Sequence, residues 1–202
     1  MRLKGISQKM NSTSNLKLDI ISYIENNLSK KRLIHTYGVR DTAVKLAENY
    51  GLDVSKAELA ALFHDMAKYL KGESLNYHVK HLGLDDKYLD NPSLAHSKIA
   101  AILMEKDFKV TDKDMVNAVS FHTTGRQNMS QLEKVIYIAD AVEPNRDYPG
   151  VEKLRKLAFK DLDKACLMSM DNTINRVNEI GGYLDNDTIL AAEYLRNEIN
   201  GR

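Results

Sequence analysis

Apolar residues recur at intervals of three or four along most of this chain, which is the spacing of one face of an α-helix. In residues 16–28, Ile20, Ile24 and Leu28 share such a face, and Ile21 adjoins them. No alternating run of β-branched and polar residues reaches the length of a strand. The pattern predicts an all-α fold, a single helical bundle of about nine helices.

Capping residues and helix breakers predict where many of these helices begin and end. Ser29 and Gly51 suit the two ends of a helix over about 30–50, because serine caps free amides and glycine adopts the left-handed turn. Three segments have the spacing of a capping box: SKAE (55–58), TDKD (111–114) and SQLE (130–133). The helix after SKAE is predicted to run through LFHDMAK (62–68) to about Leu70. Further helices are predicted near 16–28, 73–81, 94–106, 151–159, 161–180 and 187–199.

The chain shows no internal repeat and no low-complexity linker, so residues 15–202 are expected to form one domain and residues 1–14 a disordered extension. That extension lacks the apolar segment of a secretory signal, and no apolar run approaches the ~18–20 residues of a membrane span. Cys166 is the only cysteine, which excludes an intrachain disulfide and fits a reducing, cytoplasmic setting. A formal net charge of +1 gives no reason to expect nucleic acid or an anionic membrane as partner. The oligomeric state stays open, with a homodimer among the options.

Six polar residues interrupt the apolar faces of five predicted helices: His35, His64, Asp65, His96, His122 and Asp140. A single histidine on such a face is commonly a hydrogen-bonded core residue. Several imidazoles and carboxylates inside one helical bundle are instead the usual construction of a metal site. Nitrogen and oxygen donors without sulfur favour iron, manganese, zinc or cobalt over magnesium or calcium. His78 and His81, beside Lys80, are expected to lie on an ordinary solvated face.

The adjacent pair His64 and Asp65 is the clearest sign of such a site, since burying either side chain without a partner costs about 1–3 kcal/mol. Neighbouring residues on a helix point about 100° apart. The pair is therefore expected to straddle a metal at its edge, or Asp65 to bridge two metals with its two oxygens.

Four segments carry a resemblance to a known family: RLIHTYGV (32–39), LAALFHDMAKYL (59–70), HTTGRQNMS (122–130) and YIADAVEPNRDYPGV (137–151). They resemble YqeK-type proteins of the HD-domain superfamily of metal-dependent phosphohydrolases, over about residues 18 to 192. The resemblance implies hydrolysis of diadenosine tetraphosphate at its central phosphoanhydride, giving two ADP. Gln127 and Ala100 differ from the family pattern, where proline and glycine are usual, and both lie off the expected ligand set.

The resemblance also implies roles for individual residues. His35, His64, Asp65 and Asp140 would hold one metal ion, with iron as first choice and manganese, cobalt or zinc as alternatives. His96 and His122, sharing Asp65, would hold a second ion or contact phosphate. Asp65, Lys68 and Asp140 are the expected catalytic residues, and Arg32, Lys68 and Arg146 the expected phosphate contacts.

Some interpretations remain open at this point. Thr123 can bind phosphate or cap a helix end, Arg126 suits a surface ion pair, and Tyr37 and Tyr148 suit either adenine stacking or the core. No adenine-specific signature is visible, so the dinucleotide substrate rests on the resemblance. The alternatives are another HD phosphohydrolase, such as a nucleotide phosphatase or an alarmone hydrolase, and a non-catalytic nucleotide or metal sensor.

Overall fold

The computed structural model describes residues 13–201, and the regular secondary structure of this part of the chain is all helical, without a strand. The α-helices are α1 (Thr13–Asn27), α2 (Lys30–Tyr50), α3 (Val54–Phe63), α4 (Gly72–His81), α5 (Pro92–Lys106), α6 (Lys113–Phe121), α7 (Gln131–Val142), α8 (Val151–Ala158), α9 (Leu162–Glu179) and α10 (Asn186–Asn200), with a 3₁₀ turn at Asp86–Tyr88. The all-α prediction is confirmed, with ten α-helices in the described residues where about nine were expected. The predicted disordered extension lies outside the described residues, apart from Thr13 and Ser14, which begin α1.

Several predicted helix ends are confirmed. The Ser29 side chain accepts a hydrogen bond from the amide of Arg32 at the start of α2, and Gly51 ends that helix with a φ of 66°. Ser130 and Glu133 form the predicted capping box at the start of α7: the Ser130 hydroxyl accepts from the Glu133 amide at 3.1 Å, and the Glu133 carboxylate accepts from the Ser130 amide at 2.6 Å.

The other two predicted capping boxes are wrong, because an aspartate caps each helix instead. Asp53 caps α3 by accepting from the amide of Lys56, where Ser55 had been predicted. Asp112 caps α6 by accepting from the two amides that follow Lys113. A carboxylate at these positions satisfies free amides and also places negative charge at the positive end of the helix dipole.

The helix through LFHDMAK ends at Phe63, about seven residues before the predicted end. Residues 64–69 form tight turns, in which the amides of Met66 and Lys68 bond to carbonyls only three residues earlier. The His64 ring explains the break, since its Nδ1 lies 2.6 Å from the Ala61 carbonyl and competes for an acceptor of the last helical turn.

Helix α7 lies at the centre of the bundle, where it packs against α2, α3, α6, α8 and α9. Small residues bring α2 and α3 close together, since Ala43, Ala57, Ala60 and Ala61 are all fully buried. The inward faces of α2, α6 and α7 meet the turn after α3, with α5 packed against α6. None of the helices within residues 13–201 combines the length and apolarity needed to cross a membrane.

Replacing Ser130 by alanine removes one half of the α7 capping box and the hydrogen bond from its hydroxyl to Asp114, and we expect it to lower the free energy of unfolding by about 0.5–2 kcal/mol. Urea denaturation measures this change. Ser22→Ala, at an exposed position inside α1, is the matched control and should leave the unfolding free energy within about 0.5 kcal/mol of wild type. Equal effects of the two changes would contradict the capping role.

Candidate metal centre

The carboxylate of Asp65 lies at the centre of the polar cluster and is only 2% exposed. Its Oδ2 accepts a hydrogen bond of 2.7 Å from Arg32 Nη1. The same oxygen lies 3.5 Å from His64 Nε2 and 3.7 Å from His35 Nε2. This oxygen therefore has a guanidinium and two imidazoles around it.

The second oxygen of Asp65 faces the other two histidines. Its Oδ1 lies 3.2 Å from His96 Nε2 and 3.9 Å from His122 Nε2. The donor atoms consequently fall into two groups that share Asp65, one with His35 and His64 and the other with His96 and His122. Within each group the three donor atoms lie within 4.8 Å of one another, close enough to hold a single ion.

The predicted pair of adjacent residues does face one site, at the point where α3 ends. Because α3 ends at Phe63, His64 and Asp65 lie in the turn that follows. His64 itself keeps helical backbone angles, with a φ of −51° and a ψ of −45°, and its amide still bonds to the Ala60 carbonyl. Both side chains are buried within the same cluster.

All four imidazoles are oriented by an acceptor on the side away from Asp65. The Nδ1 atoms of three of them lie 2.6–2.9 Å from backbone carbonyls, namely His64 from Ala61, His96 from Pro92 and His122 from Val119. His35 Nδ1 instead lies 3.1 Å from Glu143 Oε1. Carbonyls and carboxylates only accept, so a proton on each Nδ1 satisfies them. Metal-bound histidines in proteins are held in this way. Nε2 of His35 and Nε2 of His64 then each turn a lone pair towards Asp65, whereas the Nε2 atoms of His96 and His122 lie 3.2 Å apart and one of them donates to the other.

The two lone pairs turned towards Asp65 make no hydrogen bond. Nε2 of His35 and Nε2 of His64 are buried without a hydrogen-bond partner. Asp140 Oδ1 lies 3.0 Å from His35 Nε2, but the contact lacks the alignment of a hydrogen bond. A buried unsatisfied polar atom costs about 1–3 kcal/mol, and a cation between these nitrogens and the two carboxylates would remove that cost. The donor set therefore fits a divalent metal ion.

The pKa shifts of His122, Asp65 and Asp140 favour metal coordination, and that of His64 opposes it. Burial and the neighbouring His64 and His96 hold the pKa of His122 well below its usual range. Burial alone would raise the pKa of Asp65, but His64 and His96 lower it well below the usual value. Asp140 behaves likewise: burial opposes ionisation, and His35 and Arg146 keep its pKa low. The carboxylates are thus ionised and His122 is neutral near pH 7, as metal coordination requires. Burial opposes the protonation of His64, but Asp65 raises its pKa above the usual value, so a metal ion has to displace that proton.

The three predicted phosphate-binding cations border the cluster. Arg32 bonds to Asp65, and Arg146 bonds to both the side chain and the carbonyl of Asp140, at 2.5 and 2.8 Å. Lys68 Nζ lies 3.1 and 3.2 Å from the two ring nitrogens of His96, and burial lowers its pKa.

An open cleft of about 510 Å³ adjoins this cationic edge. Arg32, Lys68 and Lys71 line it, together with Tyr69, and no acidic residue is among its described lining residues. Thr123 lies nearby, with its hydroxyl 3.4 Å from His96 Nε2. The cleft thus joins the donor cluster to a positively charged surface that suits phosphate groups.

Other residues considered from the sequence have ordinary partners. Arg126 forms a two-pronged ion pair with Glu133. His78 bonds to the Ser74 carbonyl at the surface of α4. The Tyr37 hydroxyl donates to Glu25 and the Tyr148 hydroxyl to the Ala141 carbonyl, which leaves adenine stacking a prediction.

The sequence reasoning missed Glu143, although it lies within the segment EPNRDYPG that contributed to the resemblance. Its carboxylate is 1% exposed and reaches back from the end of α7 to His35 on α2. A buried glutamate at a helix end gives no periodic signal, and only its distance to His35 reveals the contact.

Comparisons with known proteins identify a matching family model and similar sequences. The HD domain family model matches residues 32–145. The chain is 40% identical over 178 residues to the symmetrical bis(5'-nucleosyl)-tetraphosphatase of Bacillus subtilis, covering 88% of this chain and 96% of that protein. It is 43% identical over 155 residues to the protein of the same name from Halalkalibacterium halodurans, covering 76% and 83%.

A solved structure from Clostridium acetobutylicum, described as a predicted HD superfamily hydrolase involved in NAD metabolism, is also similar. It is 47% identical to this chain and superimposes with a TM-score of 0.86, covering 94% of this chain and all of the other.

Adding Mn²⁺ to chelator-treated protein should raise its thermal midpoint, because the ion binds the folded cluster. At a hundred times the dissociation constant the gain is about 2.7 kcal/mol, or roughly 5–11 °C for a chain of this size. Asp65→Asn should abolish the rise, since it removes the carboxylate common to both donor groups. Scanning calorimetry makes the comparison, with His78→Gln as a control that keeps the full rise. An undiminished rise in Asp65→Asn would exclude this cluster as the binding site.

Proposed function

This chain belongs to the HD domain family and within it to the symmetrical bis(5'-nucleosyl)-tetraphosphatases, and from that premise we propose that it splits diadenosine tetraphosphate into two ADP. Residues 15–202 form the hydrolase domain in this proposal. The observation that carries it is the pair of donor groups sharing Asp65, placed beside a cleft lined by Arg32, Lys68 and Lys71. Phosphoanhydride hydrolysis needs both features, because water must be activated and the phosphate charge must be neutralised.

We assign the first metal position to His35, His64, Asp65 and Asp140, with iron as the first choice and manganese, cobalt or zinc as alternatives. A bound metal of this type would supply a water whose pKa is lowered towards ~7, together with polarisation of a phosphoryl oxygen. His96 and His122, with Asp65, are the donors for a second ion or contact phosphate directly. Metal content per chain, measured after anaerobic purification, separates these two cases.

The cationic side chains are proposed to hold the polyphosphate chain. Arg146 presents a planar fork that matches two phosphate oxygens, and its contacts with Asp140 fix its direction. Lys68 supplies a compact positive charge beside His96. The Thr123 hydroxyl, in the same region, is a further donor to a phosphate oxygen.

Cleavage at the central bridge follows if one half of the substrate occupies the cleft while a central phosphorus lies at the donor cluster. Oxygen from water then bonds to that phosphorus, and the bridging oxygen leaves with the other ADP. Arg32 and Lys68 lie at the boundary between cluster and cleft, where they offset the charge on both halves. Their placement restrains the chain in line for attack, which is the positioning effect that catalysis requires.

The first test incubates anaerobically purified, iron-loaded protein with diadenosine tetraphosphate and resolves the products by ion-exchange chromatography. We expect ADP as the sole product, with turnover lost in His64→Ala and Asp65→Ala. ATP plus AMP would mean that attack is not at the central bridge. Free phosphate from mononucleotides would identify a nucleotide phosphatase, and a bound metal without any turnover would identify a sensor.

A second test concerns the cationic edge of the cleft. Arg32→Gln removes one charge from the phosphate path, and we expect kcat/KM for diadenosine tetraphosphate to fall about 10- to 150-fold, the equivalent of one charge-assisted hydrogen bond of about 1.5–3 kcal/mol. Arg40→Gln changes an arginine of the same helix that pairs with Asp41 outside the cleft. That control should keep wild-type kinetics, and an equal loss in both variants would contradict a local role of Arg32.

A further inference from the structure

Glu143 is a buried carboxylate that three hydrogen bonds hold in one orientation. Its Oε1 lies 3.1 Å from His35 Nδ1, and its Oε2 accepts from the backbone and side-chain amides of Asn145 at 2.7 and 2.9 Å. All three partners are donors, and the two carboxylate oxygens accept from every one of them. One carboxylate therefore links the loop after α7 to a histidine of α2.

The backbone of Glu143 is fixed as firmly as its side chain. Arg155 of α8 donates to the carbonyls of Val142, Glu143 and Arg146, at 2.9, 2.9 and 2.6 Å. These are carbonyls at and just beyond the end of α7, where a cation also interacts favourably with the helix dipole. The glutamate thus extends from a rigid anchor, and the position of its carboxylate is set before any ligand binds.

Gly38 provides the space that this carboxylate occupies. A Cβ at position 38 would lie 2.4 Å from Glu143 Oε2 and 3.3 Å from Asn145 Nδ2. Position 38 lies inside α2, where glycine is about 0.5–1 kcal/mol less favourable than alanine. Close approach of the Glu143 carboxylate to the helix therefore accounts for a glycine that helix propensity alone disfavours.

We propose that Glu143 is a positioning residue for the metal, acting through His35, and that Gly38 is the residue that admits it. The Glu143 carboxylate accepts a hydrogen bond from the protonated Nδ1 of His35. His35 Nε2 is then unprotonated, and it is oriented towards Asp65 and Asp140. This inference rests on the metal-dependent function proposed above and deepens it. It concerns binding of the metal alone and is independent of which phosphoanhydride is cleaved. When a group that hydrogen-bonds a metal-binding histidine in this way is removed, metal affinity falls about 10- to 100-fold.

Glu143→Gln tests the proposal because its amide cannot satisfy all three donors. An amide offers one oxygen and one NH₂ group, so turning the oxygen to the two Asn145 donors turns the NH₂ group to His35. His35 would then accept at Nδ1 and carry its proton on Nε2, the atom that faces the metal position. Nitrogen NMR of metal-free protein reads this tautomer directly, and the spectrum of His35→Gln assigns the signal.

Gly38→Ala tests the same contact without altering Glu143, since the added methyl group displaces the carboxylate. Affinity for Mn²⁺ alone is measured in both variants from the electron paramagnetic resonance of the free ion. We expect it to fall about 10- to 100-fold in each, with little further loss in the double variant, because the two changes break one contact.

The matched control is Asp163→Asn, which removes another buried acid, one paired with Lys134 of α7. It should lower the thermal midpoint while Mn²⁺ affinity stays within twofold of wild type. If Glu143 served only to hold the loop, Glu143→Gln and Gly38→Ala would behave like this control, and the proposal would be overturned. Should Glu143→Gln fail to fold, Gly38→Ala decides the question, and wild-type Mn²⁺ affinity in it overturns the proposal as well.

Discussion

The structure depends on one buried negative charge, the carboxylate of Asp65. A carboxylate that is 2% exposed is costly unless cations and donors surround it. Here α2 contributes Arg32 and His35, the turn after α3 contributes His64, and α5 and α6 contribute His96 and His122. Each element brings polar groups to the same carboxylate, so the helices are held in their arrangement by what Asp65 requires as well as by apolar packing.

The early end of α3 follows from the same requirement. His64 still has helical backbone angles at the end of α3, and the tight turns follow from it through residue 69. These turns bring Lys68 to His96, on the Oδ1 side of the Asp65 carboxylate. The interrupted backbone carries a local cost in regular hydrogen bonding, which the His64 contact with the Ala61 carbonyl partly offsets.

A structural feature of this protein could be predicted from the sequence where it produces a periodic pattern or a local one. The histidines could be selected because they interrupt apolar stripes, and Ser29 and Ser130 because caps act over three residues. The end of α3 could not be predicted, since Met66 and Ala67 are fully buried and continue the apolar pattern through the turn. Glu143 was missed because its contact joins residues 108 positions apart, a pairing that no local spacing encodes.

The two layers of polar contacts have different physical roles. The inner layer, around Asp65, sets how much charge the site can hold, and its partners compete directly with any ligand for the same oxygens and nitrogens. The outer layer, formed by Glu143 and the backbone carbonyls behind the imidazoles, meets no ligand. It decides which ring nitrogen is bare and where that nitrogen points. A mutation in the outer layer can therefore leave the fold and the charge of the inner layer intact and still weaken metal binding. His35 is held by a side-chain carboxylate, whereas the other three histidines are held by backbone carbonyls. Its orientation is therefore the one that a substitution in the outer layer can change most directly.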